Sequence, residues 1–229
     1  MRVGITLPTF EHRAEAALAG AIRAEELGLD GVFVFDHLWP MGRPDRPALS
    51  SFPVLGAVAA STSRVAMGTL EARVGMRDDD ELVRQFLSLE SLAPGRVVAG
   101  IGTGDAKSKE ENLAYGIAYP PVAERRAVLA RTAERLRDAA LPVWVGGGAP
   151  ATNDIARALG VALNLWEADD GVVRAAAATG EVTWGGPVPG GAPAVAERLV
   201  RLADAGATWA VCAWPSSLED VAEAAQRLR

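Results

Sequence analysis

Short apolar runs alternate with helix-patterned stretches from Val3 to Leu228, and this alternation constrains the fold more than any single residue does. The runs Val3–Leu7, Val32–Phe35, Val65–Leu70, Val97–Ile101, Pro142–Val145, Val161–Trp166, Gly180–Trp184 and Thr208–Ala213 read as eight strands. Between them, Ala14, Ala17, Leu18, Ala21 and Ile22 share one helical face, as do Leu82, Phe86, Leu89 and Ala93, and then Leu129, Ala133, Leu136 and Ala140. Strands joined by helical crossovers lie parallel. Val32–Phe35 is apolar at every position, the pattern of a strand buried on both faces. Eight such units predict an α/β fold, a closed (β/α)8 TIM barrel, with an open doubly wound sheet as the competing arrangement.

Local signals set the boundaries. Gly28 follows Leu27 where the first helix must stop, Pro94-Gly95 ends the helix before the fourth strand, and Pro150 suits the first turn of the helix after the fifth. Ser216 with Glu219 has capping-box spacing for the last helix. Gly185–Pro193 reads as a loop and Lys107–Glu111 as a solvated turn. No stretch reads as a linker, so a single domain over residues 1–229 is expected. The aromatic, proline-rich segment Leu38–Phe52 is too long for a bare turn and is expected to pack over the barrel mouth or against a second subunit, the latter as a homodimer.

Composition excludes several functions. The net charge of −6 argues against a nucleic-acid partner and an anionic membrane surface. No apolar run approaches the roughly 18 residues of a membrane span, and the chain opens directly into a strand pattern, so a cytoplasmic protein is expected. One cysteine, Cys212 in the apolar run Trp209–Trp214, reads as a small buried hydrophobe. With two histidines besides, a structural zinc site is excluded and no metal is expected.

Barrel chemistry sits at the C-terminal strand ends. The second strand ends in Asp36-His37-Leu38-Trp39, which places a carboxylate, an imidazole and an aromatic ring together. The fourth ends in Gly100-Ile101-Gly102-Thr103-Gly104-Asp105, where glycines admit a flat ligand and Asp105 is a candidate acid/base. The fifth ends in Gly146-Gly147-Gly148-Ala149 and runs into a helix whose first turn holds Thr152 and Asn153. That is an anion cradle of N–H groups reinforced by the helix dipole.

The order and spacing of these pieces resemble the bacterial-luciferase-like superfamily of flavin- and deazaflavin-dependent barrels. The resemblance runs through Gly4-Ile5-Thr6-Leu7-Pro8, Ala24–Gly31 leading to Asp36-His37, Gly68-Thr69-Leu70, Leu92-Ala93-Pro94-Gly95-Arg96 and Pro142–Gly147. It is strongest toward members that use coenzyme F-420. It implies that Asp36 and His37 meet the deazaflavin ring. Gly102, Thr103, Gly104 and Asp105 match the turn after the fourth strand, and Gly146, Gly147 and Gly148, with Ala149 and Thr152 beside them, match the phosphate-holding turn. Thr69, Leu70 and Glu71 fall where the family often has a bulge or cis peptide behind the ring, and Glu71 is an unusual residue there. The implied activity is hydride transfer between coenzyme F-420 and a small organic substrate, with His37 and Asp105 as proton-handling groups and Trp39 walling the pocket. The alternatives are an FMN-dependent monooxygenase and a non-catalytic flavin-binding barrel. The links Gly116–Ala123 and Glu167–Glu181 are short for the family, which implies a cofactor shelf without the usual lid.

Overall fold

The computed structural model describes residues 1–213 and 215–228; Trp214, the end of the apolar run around Cys212, lies outside them. In chain order the strands are β1 (Arg2–Thr6), β2 (Gly31–Val34), β3 (Ala66–Thr69), β4 (Ala72–Arg73), β5 (Val97–Gly102), β6 (Val143–Gly146), β7 (Ala162–Trp166), β8 (Val182–Pro187) and β9 (Trp209–Ala213). The helices are α1 (Glu15–Glu26), α2 (Ser51–Ser61), α3 (Asp79–Leu92), α4 (Ser108–Ala114), α5 (Val122–Asp138), α6 (Pro150–Leu159), α7 (Asp170–Ala177), α8 (Ala192–Asp204) and α9 (Leu218–Gln226).

Every strand pairing is parallel, and the sheet closes on itself. β1 pairs with both β2 and β9. The other seam is shared: β3 meets the start of β5 through Met67 and Val97, and β4 meets its end through Ala72 and Ile101. β3 and β4 are therefore two halves of one barrel position. They are separated at Leu70–Glu71, where the peptide bond is cis, as the family resemblance implied. Eight positions close the ring, and the chain folds as a (β/α)8 TIM barrel.

Aromatic side chains plug the lower barrel. The rings of Phe33 and Trp144 stack with centroids 4.9 Å apart, and Trp209 packs edge-on to both at 5.8 and 5.4 Å. The plug needs space on neighbouring strands. A Cβ on Gly31 would come within 3.0 Å of the Trp209 ring. Burying a ring such as Phe33 stabilises by about 1.5–3 kcal/mol. Leu70 joins this cluster from above and so forms its roof. Outside the strands, Leu82, Phe86 and Leu129 are fully buried on the helix faces the sequence pattern assigned to them, and Leu199 and Leu202 of α8 are fully buried as well.

Polar clamps fix the helices to the sheet. The Glu25 carboxylate, at the end of α1, accepts N–H groups of Ser63, Arg64 and Val65 at 3.0, 2.6 and 2.9 Å. Burial opposes its ionisation, but these donors outweigh it and bring its pKa down to about 2. Gly28 adopts φ 84°, the left-handed turn that ends α1. Cys212 is buried, and burial pushes its thiol up to about 12.

Three local expectations are corrected. α9 is capped by Ser217 accepting the Asp220 N–H at 3.1 Å, one residue later than Ser216–Glu219. The Ser216 hydroxyl is committed instead to the Val188 backbone. Gly185 and Gly186 belong to β8 rather than a loop, because β9 completes their ladder through Val211 and Cys212. Lys107–Glu111 is no solvated turn: it enters α4, and Ser108, Glu111 and Asn112 turn inward at helical spacing.

Candidate active site

A cavity of about 620 Å³ opens at the C-terminal ends of the strands, a volume typical of small-molecule sites. Its apolar wall is aromatic. Phe10 stacks on Phe35 at 5.8 Å, and Trp166 meets Phe35 edge-on at 5.7 Å. Leu70 lines the floor, and His37, Glu71, Arg73, Asp105, Arg125 and Arg126 bring charge or acid–base character to the lining.

His37 is held from outside the cavity. Its Nδ1 lies 3.0 Å from Oε2 of Glu111, which leaves Nε2 for the cavity that the ring lines. Glu111 also ion-pairs with Arg73 at 2.9 Å and accepts the backbone N–H groups of Leu38 and Trp39. Burial raises the carboxyl's proton affinity, but contact with His37, the Leu38 N–H and the charge of Arg73 outweigh it and hold Glu111 below the usual carboxylate range. Arg73 is itself buried, and its guanidinium also donates to Asn112 Oδ1 at 2.9 Å. The short helix α4 thus fixes the loop after β2 and orients the imidazole. The sequence reading missed Glu111. Its signal was the i, i+3, i+4 set Ser108, Glu111 and Asn112, hidden in a run of charges.

Asp36 is built into the wall. Arg77 grips its carboxylate through both terminal nitrogens at 2.9 and 3.0 Å, and Ser51 Oγ donates to it at 2.7 Å. It is buried and is not among the residues that line the cavity. Trp39 likewise turns away and packs on Tyr115 at 5.9 Å; Phe10, Phe35 and Trp166 supply the aromatic wall expected of it. Thr69 donates to the Gly100 carbonyl at 2.6 Å and does not face the cavity. Met41 reaches the lining from the Leu38–Phe52 segment, so that segment packs at the mouth.

Gly102, Thr103, Gly104 and Asp105 all line the cavity. Arg125 binds the carbonyls of Thr103 and Gly104, which pins this turn to α5. The Asp105 carboxylate caps α4, accepting the Ser108 N–H and Oγ–H at 3.0 Å each. Burial opposes ionisation, but the Ser108 and Lys107 donors outweigh it and lower the pKa. Asp105 is therefore an anion at neutral pH, fit to accept a proton or hydrogen bond and unfit to donate one.

The glycine turn after β6 is only partly a cradle. Gly146, Gly147, Ala149 and Thr152 line the cavity, whereas Gly148 does not. The Gly147 N–H is spent on the Asn164 carbonyl at 2.9 Å, and the Gly148 N–H on Asn153 Oδ1 at 3.0 Å. Of the N–H groups of Gly147, Gly148 and Ala149, only that of Ala149 lacks a partner among the described residues. The cation there is Arg126, whose Nε lies 3.3 Å from Thr152 Oγ1 and which the sequence reading did not single out. Together, Arg126, Thr152, the Ala149 N–H and the start of α6 fit an anionic group, and the aromatic wall fits a flat ring.

A parallel barrel with a cavity at its C-terminal mouth defines the class: a TIM-barrel protein with room for a small molecule there. The chain belongs to the luciferase-like monooxygenase family, whose model matches residues 1–139. It is 37% identical over 127 residues to the F420-dependent glucose-6-phosphate dehydrogenase of Nakamurella multipartita, a match covering 55% of this chain and 35% of that one. The enzyme of the same name from Kineococcus radiotolerans is 43% identical over 117 residues, covering 51% of this chain and 34% of that one. The chain thus covers about a third of the length of these relatives. Among solved structures, an F420-dependent secondary alcohol dehydrogenase superposes with a TM-score of 0.81 at 16% identity, covering 100% of this chain and 98% of that one. A monooxygenase from Streptomyces bottropensis superposes with 0.72 at 16% identity, covering 99% and 97%. At these identities the likeness is one of fold.

Proposed function

We propose that this chain is an oxidoreductase that binds coenzyme F-420 in the strand-end cavity and moves a hydride between it and a small organic substrate. The observation that carries the reading is one cavity with two chemistries. An aromatic wall with the anchored His37 suits a flat ring, and Arg126 with Thr152 and the α6 N-terminus suits an acidic tail. The family model's match over residues 1–139 takes in His37, Asp105 and Glu111, and the relatives named F420-dependent dehydrogenases favour the deazaflavin.

When bound, the deazaflavin supplies the hydride-accepting carbon. Phe35, Leu70 and Trp166 would pack against the ring and exclude water from it. Glu111 holds His37 through Nδ1, so Nε2 is the atom that would exchange a proton with a substrate. Asp105, held as an anion, would act as acceptor beside it. Arg126, Thr152 and the Ala149 N–H would hold the phosphate. Residues 1–229 would act as one luciferase-like barrel domain, in the cytoplasm. A homodimer would cover the exposed apolar rim of Met41, Tyr115, Val122 and Trp166.

The family's own description favours a second reading, an FMN-dependent monooxygenase. Parallel titrations with coenzyme F-420 and FMN, followed by ring fluorescence, separate the two. Tighter binding of F-420, with turnover on an alcohol or sugar-phosphate panel, is expected. Preference for FMN would select the second reading. Binding without turnover would select a non-catalytic flavin-binding barrel.

A further inference from the structure

Among the described residues, Glu71 is the one carboxyl lining the cavity that no other group engages. Asp105 caps α4, Asp36 is gripped by Arg77, and Glu111 holds His37 and Arg73. No hydrogen bond or ion pair among the described residues engages the Glu71 carboxyl. The residue is partly exposed, and it lines the cavity. Its position is built for it. A Cβ on Gly146 would fall 1.6 Å from Oε2 of Glu71, and one on Gly102 would fall 2.7 Å from the same atom. Gly102, read from sequence as room for a flat ligand, and Gly146, read as part of an anion cradle, are first of all room for this side chain. Nothing in the fold explains why an acid should be seated there, and polar groups in such places normally have partners.

The surroundings decide the acid's state. From β5, β6 and β7 the residues lining the cavity near it are Gly102, Gly146, Asn164 and Trp166, none of them ionisable. The charged or titratable groups elsewhere in the lining are His37, Arg73, Asp105, Arg125 and Arg126. Burial alone pushes the Glu71 carboxyl up to about 8, so it carries its proton at neutral pH. A carboxylate only accepts, but a carboxylic acid presents a donor and an acceptor side by side. An apolar site that keeps such an acid neutral lets it donate at pH 7.

We propose that Glu71, as a neutral carboxylic acid, pairs with a lactam or imide edge of the bound ring, its O–H donating to a ring carbonyl and its C=O accepting from the adjacent ring N–H. This rests on the cofactor reading above and adds to it the residue that senses the ring's polar edge. Flavins and deazaflavins both carry that edge, so Glu71 serves either ring.

The test compares wild type with Glu71→Gln, which keeps the donor–acceptor pair and cannot ionise. FMN and coenzyme F-420 are each titrated from pH 6 to 9.5 by ring fluorescence; ionisation of the ring itself is common to both proteins. The two Kd values should agree within a few-fold at pH 6. Above about pH 8 the wild-type to E71Q ratio should climb roughly tenfold per pH unit, as expected when only the protonated form binds. Glu71→Leu should weaken binding at least tenfold at pH 6. A flat ratio overturns this inference and leaves the cofactor reading standing. No binding of either ring by wild type overturns both. If E71Q does not fold, wild type alone decides. Its infrared difference spectrum at pH 7 should show a carboxylic-acid C=O band that shifts on adding FMN, and the lack of such a band overturns the inference.

Discussion

Oε2 of Glu111 lies 3.0 Å from Nδ1 of His37, and the same carboxylate ion-pairs with the buried Arg73 at 2.9 Å. One side chain thus sets the orientation of the imidazole and neutralises a largely buried guanidinium. The two roles separate by substitution. Glu111→Ala strands Arg73 without its partner, which should cost about 3–5 kcal/mol. At about 2–4 °C per kcal/mol for a chain of this size, thermal melts should show a large drop. Glu111→Gln keeps the shape and loses the charge, so it should melt closer to wild type while turnover falls. His37→Ala should lower turnover by roughly a hundredfold or more with cofactor affinity largely kept. Wild-type turnover in His37→Ala would remove the imidazole from the chemistry.

Gly146 and Glu71 should behave as a coupled pair. Gly146→Ala puts a methyl group where the Glu71 carboxyl lies, an overpacking expected to cost about 1–3 kcal/mol. Glu71→Ala vacates that space, so the double variant should recover most of the loss. Denaturant melts of the four proteins measure the coupling, which should fall within about 0.5–3 kcal/mol. Additive effects would show that the methyl group clashes elsewhere.

Arg126 should matter only to ligands that carry a phosphate. Loss of a charge-assisted bond costs about 1.5–3 kcal/mol, roughly a tenfold to hundredfold rise in Kd. Arg126→Ala should therefore weaken FMN and coenzyme F-420 and leave riboflavin, which has the ring without the phosphate, unchanged. Equal weakening of riboflavin would place Arg126 at the ring instead.

Acid should loosen α1 first. The folded pKa of Glu25, about 2, lies below its ordinary 4.5. Its contribution is fully present above pH 4.5 and is lost as pH falls from 4.5 toward 2. After solvent screening it amounts to about 1–2 kcal/mol. Glu25→Gln should melt lower than wild type at pH 6, and the gap should close by pH 2. A gap that persists at pH 2 would mean that the side chain's shape matters, and its charge does not.

The sequence by itself determined the barrel and the ends at which chemistry occurs. Strand–helix alternation is written in local periodicity, and parallel crossovers leave few topologies. Apolar runs such as Val32–Phe35 and glycine turns after strands are legible because each depends on neighbours a few residues away. Tertiary structure decided which residues at those ends face a ligand. Asp36 is adjacent to His37 in sequence, yet Arg77, 41 residues further on, claims its carboxylate. Glu111 looked like one member of a charge run, yet it holds His37 from 74 residues away. Gly147 and Gly148 looked like free anion donors, yet Asn164 and Asn153 take their N–H groups. Charged and polar groups pair by distance in space, over ranges that local periodicity does not encode. Closing the barrel brought Glu71 over Gly146 and left its carboxyl facing the cavity without a partner among the described residues.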